Sequence, residues 1–306
     1  MELRDFGNTG LQTSVLGFGA APIGVLETPQ QEVTQLLNVL LDLGVNTIDT
    51  AAGYRGSEEA IGQAVAHRRD EFVLISKCGQ AFDDLEGEPW SADVITNTIE
   101  RGLRRLQTDH LDVMLLHTCD LETLQLGEAL EALSKAQQAG KVRFPGYSGD
   151  NQAIQFAIAH DNVFAIETSI NICDQVNITG ALPLVAEHGV GTIAKRPIAN
   201  AAWKRLDDQP GFYSQYAKTY TERLAQMNIC PNELGIDGPL EQAWPELALR
   251  FTLTHGDVHT AIIGTTNVDH LKTNVANVEK GPLSDDVMDA VYSAFASAEE
   301  GWEGLT

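Results

Sequence analysis

Four side chains with complementary acid–base chemistry are predicted to meet at one edge of a parallel sheet. Asp49, Lys77 and His117 each end a short apolar run, and Tyr54 follows Asp49 by five residues in a loop flanked by glycines. A buried ammonium beside a phenol favours the phenolate, so Lys77 should lower the pKa of Tyr54, and Asp49 balances the charge of Lys77. A neutral His117 can orient an oxygen. The set suits protonation of a carbonyl oxygen while hydride arrives at the carbon.

The elements that must position these residues alternate short apolar runs with helical patterns. The apolar runs lie at 15–20, 46–49, 72–76, 112–116, 142–148, 165–170, 191–195 and 260–264. Near-continuous apolar strands indicate a parallel sheet covered by helices. Eight such units in a chain of 306 residues predict an α/β fold, the (β/α)8 TIM barrel. An open doubly wound sheet is the alternative, but Pro22 stands where its GxGxxG pattern needs a third glycine.

Two segments lie outside the barrel repeat. Residues 2–14 are predicted to form a hairpin that turns at 8–10. The connection from 197 to 243 is too long to be structureless, so we expect a folded insertion after the seventh strand. Within it, five apolar and aromatic residues recur at helical spacing and indicate packing: Tyr213, Tyr216, Tyr220, Leu224 and Met227. Residues 1–306 are expected to form a single barrel domain.

Each of the four candidate residues also has a simpler structural explanation. Asp49 can cap a turn, and Lys77 can be solvated at a strand end. His117 can be a half-buried, hydrogen-bonded histidine, and Tyr54 can pack within its loop. Each residue alone fits the structural explanation better. Together they favour catalysis, because barrel enzymes place their active sites at the carboxyl ends of the strands.

The composition narrows the choice of partners and compartment. The formal net charge is −23, which disfavours nucleic acid and anionic membranes as partners. No apolar run is long enough to span a membrane, and no secretory signal is visible at the start of the chain. The four cysteines lack CxxC spacing and the histidines lack metal-binding motifs, so we expect reduced thiols, no metal and a cytoplasmic location. The sequence does not indicate an oligomeric state.

Two segments of the chain resemble signatures of the aldo-keto reductase family. They are DTAAGYRGSEEAIG at 49–62 and LRRLQTDHLDVMLLH at 103–117. Three more segments resemble the family in the same order: GNTGLQTSVLGFG near the start, VLISKCG around Lys77 and IIGTTNVDHLKTN near the end. The resemblance covers nearly the whole chain. It implies a catalytic tetrad of Asp49, Tyr54, Lys77 and His117, and a nicotinamide cofactor extended across the barrel mouth without a Rossmann fold.

The resemblance also implies ligands for the nicotinamide end of the cofactor. Ser148 matches the serine that holds the carboxamide, although Gly149 replaces the usual neighbouring asparagine. Glu167 stands where a glutamine commonly serves the same amide, and an ionised glutamate can accept a hydrogen bond there but cannot donate one. Lys195 replaces an aromatic residue that often stacks on the ring. Either Lys195 or Arg196 lies over the ring or reaches the pyrophosphate.

The adenosine end of the cofactor is assigned by the same resemblance to the segment after the last strand. The matching residues are Gly264, Thr265, Thr266, His270 and Asn274. His270 offers a cation for a 2′-phosphate, so NADP(H) is expected to bind more tightly than NAD(H). In the alternative, His270 packs against the adenine and the preference is for NAD(H) or for neither. Thr265, Thr266 and Asn274 could instead cap the following helix, which is compatible with phosphate binding.

The sequence is compatible with three functions. The first is an enzyme that transfers hydride between NADP(H) and an aldehyde or ketone, with Tyr54 as general acid. The second is a cofactor-binding, redox-sensing subunit on the same barrel, which the intact tetrad disfavours. The third is metal-dependent hydrolysis, for which only Asp49 and His117 lie at suitable strand ends. The sequence does not name the substrate or the direction of the reaction in the cell.

Overall fold

A computed structural model of the chain describes residues 1–82, 84–209 and 213–305. Eight parallel strands close into a barrel in the order β10-β3-β4-β5-β6-β7-β8-β9, and β1 and β2 form a separate antiparallel hairpin. The strands are β1 (Leu3–Asp5), β2 (Gln12–Ser14), β3 (Leu16–Gly19), β4 (Thr47–Asp49), β5 (Val73–Cys78), β6 (Leu111–His117), β7 (Val142–Ser148), β8 (Ala165–Ser169), β9 (Gly191–Lys195) and β10 (Thr260–Ile263). The predicted TIM barrel and N-terminal hairpin are confirmed.

Helices surround the barrel and cover the outer face of its sheet. They are α1 (Ala21–Val25), α2 (Gln30–Asp42), α3 (Ser57–Val65), α4 (Ala92–Leu106), α5 (Leu121–Leu126), α6 (Glu128–Gln138), α7 (Asn151–Ile158), α8 (Val176–Gly180), α9 (Leu182–His188), α10 (Tyr213–Met227), α11 (Leu240–Thr254), α12 (Val268–Glu279) and α13 (Asp285–Ala298). In α2, Val33, Leu36, Leu37 and Leu40 are fully buried. Their spacing places them on one stripe of the helix, which packs towards the sheet.

The hairpin connection closes the lower end of the barrel. Phe6 is fully buried with the inward-facing side chains of the barrel. A Cβ atom added at Gly191 would lie 2.5 Å from the Phe6 ring, so only glycine fits at the start of β9. The opposite end, where the strands finish, is therefore the open end of the barrel.

The structure differs from the sequence prediction in two places. The repeat predicts one helix between β6 and β7, but the structure has two, α5 and α6, divided at Gly127, whose φ of +80° suits glycine and turns the chain. Helix α13 was not predicted, because it follows the last strand–helix unit of the repeat. Among the residues described, no helix has the length and apolarity needed to cross a membrane.

The insertion after the seventh barrel strand, β9, is folded as predicted. Helix α10 carries the aromatic stripe, and Tyr220, Leu224 and Met227 are buried against α11 and α13 residues. Tyr216 is 46% exposed, and the side chain of Tyr213 lies outside the described part of the chain. The four cysteines are free thiols.

Candidate active site

Lys77 lies at the centre of the open end of the barrel, and its ammonium group is fully enclosed. It is 1% exposed, and its Nζ donates to both carboxylate oxygens of Asp49 at 2.6 Å and to the Thr50 carbonyl at 3.1 Å. Strands β4 and β5 are neighbours in the barrel, so the ends of both strands come together. Burial alone would lower the pKa of Lys77, but the Asp49 and Glu167 carboxylates raise it above its usual value. Lys77 therefore stays charged.

Tyr54 and His117 meet above this ion pair. The centroid of the Tyr54 ring lies 5.5 Å from Lys77 Nζ and 6.1 Å from the centroid of His117, which it meets edge-on. Both rings are half-buried. The Arg101 guanidinium supports the loop that carries Tyr54 by donating to the Ala52 carbonyl at 3.3 Å. The structure thus brings together all four residues that the sequence pattern singled out.

Lys77 acts to lower the pKa of Tyr54 as predicted, but its effect does not determine the net shift. Burial raises the pKa of Tyr54, and the carboxylates of Asp49 and Glu167 raise it further, which outweighs the lowering by Lys77. The net pKa of Tyr54 is above its ordinary value. The phenol is therefore protonated at neutral pH, as a proton donor must be.

His117 is neutral at physiological pH. Burial and the neighbouring Lys77 ammonium lower its pKa to about 3. Directly after it, Thr118 has φ of +70°, a left-handed conformation that is strained for a β-branched residue. A neutral imidazole in this position can exchange a hydrogen bond with a substrate oxygen.

Glu167 brings a second carboxylate to Lys77, a contact that the sequence analysis did not predict. Glu167 lies in the middle of β8 and is 3% exposed. Its Oε2 is 3.1 Å from Lys77 Nζ but receives no well-directed hydrogen bond from the described residues. Burial acts to raise the pKa of Glu167, but the ammonium groups of Lys77 and Lys195 lower it. Burial and the Glu167 carboxylate raise the pKa of Asp49. Lys77 thus lies between two buried carboxylates.

Ser148 and Lys195 lie at the ends of the strands on either side of β8. Ser148 is 1% exposed, and Lys195 is paired with Asp150 at 2.9 Å. Asp150 is buried and also accepts hydrogen bonds from Thr168 and Asn177. Asp150 was not predicted as a site residue, although it follows the end of β7 by only two residues, a position that the strand pattern makes detectable.

The departure from the family pattern at Gly149 has a steric cause. A Cβ atom at Gly149 would lie 2.4 Å from the Tyr147 hydroxyl, which donates to the Cys119 carbonyl at 2.6 Å. No side chain fits at position 149 while Tyr147 makes this hydrogen bond.

Arg196 points towards the end of the chain rather than freely into the barrel mouth. Its guanidinium donates to the Leu305 carbonyl, to Ser169 Oγ at 3.0 Å and to the Tyr216 hydroxyl at 2.6 Å. The segment after α13 is held at the same place, because the Leu305 amide donates to Asp174 at 2.9 Å. Arg196 is thus engaged by the insertion and the tail, whereas Lys195 lies closer to the tetrad.

The residues assigned to the adenosine end surround the start of α12, at the same open end. Gly264 and His270 are exposed, Thr265 and Thr266 are half-buried, and Asn274 is buried. None of these five residues is the N-cap of α12. Asn267 Oδ1 accepts from the amides of Asp269 and His270, at 2.7 and 3.3 Å, and Thr265 Oγ1 accepts from the Asn267 amide. Asn267 was not predicted as the cap, although asparagine is among the residue types preferred at an N-cap.

No group of three or more histidine, cysteine, aspartate or glutamate side chains is arranged to hold a metal ion within the described part of the chain.

Comparisons with known proteins agree on one family. A model described as the aldo/keto reductase family matches residues 15–295. L-galactose dehydrogenase of Arabidopsis thaliana is 29% identical over 295 residues, 91% of this chain and 88% of that protein. A probable voltage-gated potassium channel subunit beta of the same plant is 24% identical over 306 residues, 92% of this chain and 93% of that protein. The holo form of an aldo-keto reductase from Bacillus halodurans has a TM-score of 0.81 at 28% identity and covers 96% of each chain.

Proposed function

Because the chain belongs to the aldo-keto reductase family, we propose that it transfers hydride between NADP(H) and the carbonyl or alcohol carbon of an aldehyde or ketone. The observation that carries the proposal is the enclosed Lys77–Asp49 pair, with the Tyr54 ring 5.5 Å from the ammonium and a neutral His117 beside it. These groups provide a proton donor, a fixed positive charge and an uncharged hydrogen-bonding group at one position.

The open end of the barrel has polar groups that fit a nicotinamide cofactor. Glu167 Oε2 is buried 3.1 Å from Lys77 Nζ without a well-directed hydrogen bond from the described residues, and it can accept one from a carboxamide nitrogen. Ser148 is the second proposed ligand of that carboxamide. Positive potential for the cofactor phosphates comes from Lys195 or Arg196 and from the N-terminal end of α12. When bound, the cofactor supplies or accepts the hydride.

Tyr54 and its neighbours handle the proton in the proposed reaction. In reduction, the Tyr54 hydroxyl gives its proton to the carbonyl oxygen, and the resulting phenolate is stabilised by the Lys77 ammonium. Asp49 holds that ammonium in place. His117 orients the substrate oxygen by a hydrogen bond. Solvent then returns the proton to Tyr54, and the same groups act in reverse for alcohol oxidation.

Steady-state kinetics test this function. The absorbance of the reduced nicotinamide is followed with a panel of aldehydes and ketones, and L-galactose with the oxidised cofactor is included because of the plant relative. We expect turnover of at least one class that is lost on heat denaturation. Turnover that appears only with an added divalent ion and no nicotinamide would contradict the proposal.

The similarity to a potassium channel subunit beta favours a second candidate, a cofactor-binding sensor on the same barrel. A sensor would bind NADP(H) tightly and turn over every substrate in the panel slowly. The intact Asp49, Tyr54, Lys77 and His117 arrangement supports the enzyme.

We predict that NADP(H) binds more tightly than NAD(H), since His270 lies exposed in the first turn of α12 at the proposed 2′-phosphate position. His270→Gln should reduce the ratio of the NADH to the NADPH dissociation constant about threefold or more, because it removes the imidazole proposed to contact the 2′-phosphate at an exposed position. Dissociation constants from the quenching of protein fluorescence measure it, with His67→Gln, far from this site in sequence, as the control. Equal binding of both cofactors by the parent protein would reject the preference.

A further inference from the structure

Glu167 places a fixed negative charge at the proposed nicotinamide position. Glu167 is 3% exposed, and its Oε2 is buried without a well-directed hydrogen bond from the residues described. A neutral amide at this position would serve a carboxamide equally well, because it both accepts and donates. The carboxylate therefore adds a charge that holding the carboxamide does not require.

The charges around Glu167 do not cancel this negative charge locally. The single ammonium of Lys77 lies between two carboxylates, 2.6 Å from Asp49 and 3.1 Å from Glu167. Lys195 is matched by Asp150 at 2.9 Å, and His117 is neutral. Arg196 is engaged by Tyr216 and the Leu305 carbonyl. The group formed by Asp49, Lys77 and Glu167 thus has one more carboxylate than ammonium beside Tyr54 and His117.

The two redox forms of a nicotinamide differ in charge. The oxidised ring is positive and the reduced ring is neutral, so only the oxidised ring is attracted by a nearby carboxylate. In a partly enclosed site with an effective dielectric constant of about 20, unit charges a few ångströms apart interact strongly enough to change an equilibrium by tenfold or more.

We propose that Glu167 sets the redox preference of the site, by selecting the oxidised over the reduced nicotinamide cofactor through the charge of its carboxylate. This inference rests on the proposed function and deepens it. It assigns to Glu167 a role in specificity separate from holding the carboxamide. The neighbouring Lys77 and Lys195 ammonium groups keep Glu167 ionised by lowering its pKa against the effect of burial. Bound cofactor is thereby shifted towards the form that accepts hydride from an alcohol.

Binding measurements test the proposal without any turnover. Dissociation constants for NADP⁺ and NADPH are measured by fluorescence titration at one pH near neutrality. The proteins are the parent, Glu167→Gln, Glu167→Asp and Glu187→Gln. Glu187 is exposed on α9, so its substitution changes the net charge equally without touching the site. Binding of NADPH also reports that each variant is folded.

We expect Glu167→Gln to lower the NADPH-to-NADP⁺ ratio of dissociation constants about tenfold, mainly by weakening NADP⁺, which corresponds to about 1.4 kcal/mol. Glu167→Asp, which keeps the charge, should stay within about threefold of the parent, and Glu187→Gln should match it. An unchanged ratio in Glu167→Gln would overturn the inference while leaving the proposed function intact. A change of the same size in Glu167→Asp, which keeps the charge, would also overturn the inference. The ratio of dissociation constants would then depend on the position of the carboxylate and not on its charge. If neither form binds the parent, the proposed function fails as well.

Discussion

Tyr54 is a proton donor at neutral pH because burial raises the pKa of its hydroxyl and the nearby carboxylates add to this effect. Lys77 alone would favour the phenolate, but Lys77 is shared between Asp49 and Glu167, and burial penalises the charged ring further. The phenol is thereby poised for reduction at neutral pH. In the reverse direction Tyr54 must first lose its proton, so alcohol oxidation should accelerate as the pH rises.

Glu167→Gln should move the pH profile of alcohol oxidation to lower pH. The Glu167 carboxylate contributes to the raised pKa of Tyr54, so its removal lowers that pKa and the phenolate forms at lower pH. The profile of kcat/KM for oxidation measures this shift, because it reports groups of the free enzyme. Glu187→Gln, on the exposed face of α9, is the matched control. A profile that stays in place, or moves to higher pH, would show that Glu167 does not act on Tyr54.

The residues of the tetrad were predictable from sequence, and the Glu167–Lys77 contact was not. Asp49, Lys77 and His117 end consecutive strands, so their proximity follows from the parallel sheet alone. Strand β8 lies three places from β5 in the barrel order, and the contact between Glu167 and Lys77 crosses the interior. That distance depends on how the barrel closes, which a one-dimensional pattern does not contain.

At the scale of the elements, the start of α12 is the part of the proposed cofactor site that depends most on one side chain. Asn267 caps the helix by accepting from the amides of Asp269 and His270. Its loss leaves those amides unsatisfied at the helix end that faces the proposed phosphate.

Asn267→Ala should destabilise the protein by about 1 kcal/mol, the usual cost of removing an N-cap. Urea unfolding followed by circular dichroism measures the free energy. Asn97→Ala serves as the control, because Asn97 is exposed within α4 and alanine is the better helix former there. Equal stability of Asn267→Ala and the parent would show that the cap does not contribute.

The C-terminal tail and the insertion after β9 make contacts that could not be predicted from the sequence pattern of the elements. Apolar periodicity predicted α10, but it did not predict the hydrogen bond between Tyr216 of α10 and Arg196 at the open end of the barrel. The family resemblance left open whether Lys195 or Arg196 lies over the nicotinamide ring or reaches the pyrophosphate, and in the structure Arg196 donates to the Leu305 carbonyl and to Ser169. The tail has no periodicity that would have shown this pairing.

At the scale of the whole molecule, the net charge of −23 repels an anionic cofactor, so its site must be locally positive. Long-range repulsion acts mainly on the rate of encounter, and salt screens it. The charge and the barrel could both be inferred from sequence, since the repeat of eight strand–helix units determines the architecture. The electrostatic potential at the open end of the barrel could not be inferred from sequence, because it depends on which charged side chains are already paired.

The association rate constant of NADPH should therefore rise with salt. Between ionic strengths of about 0.01 and 0.15 M the Debye length falls from about 30 to about 8 Å, which removes most of the repulsion by distant carboxylates. Stopped-flow fluorescence measures the rate, and NADH, with one phosphate fewer, should respond less. A rate that falls with salt would show that the local cations dominate the encounter.

The most direct test of the account is single-turnover reduction of a good aldehyde by Tyr54→Phe with NADPH already bound. The substitution removes only the hydroxyl that is proposed to donate the proton. General acid catalysis contributes about 10²–10⁴-fold, so the rate of hydride transfer should fall by at least that range while the dissociation constant of NADPH stays within about twofold. A Phe variant that reduces the aldehyde within a few-fold of the parent rate would contradict the assignment of Tyr54 as the general acid.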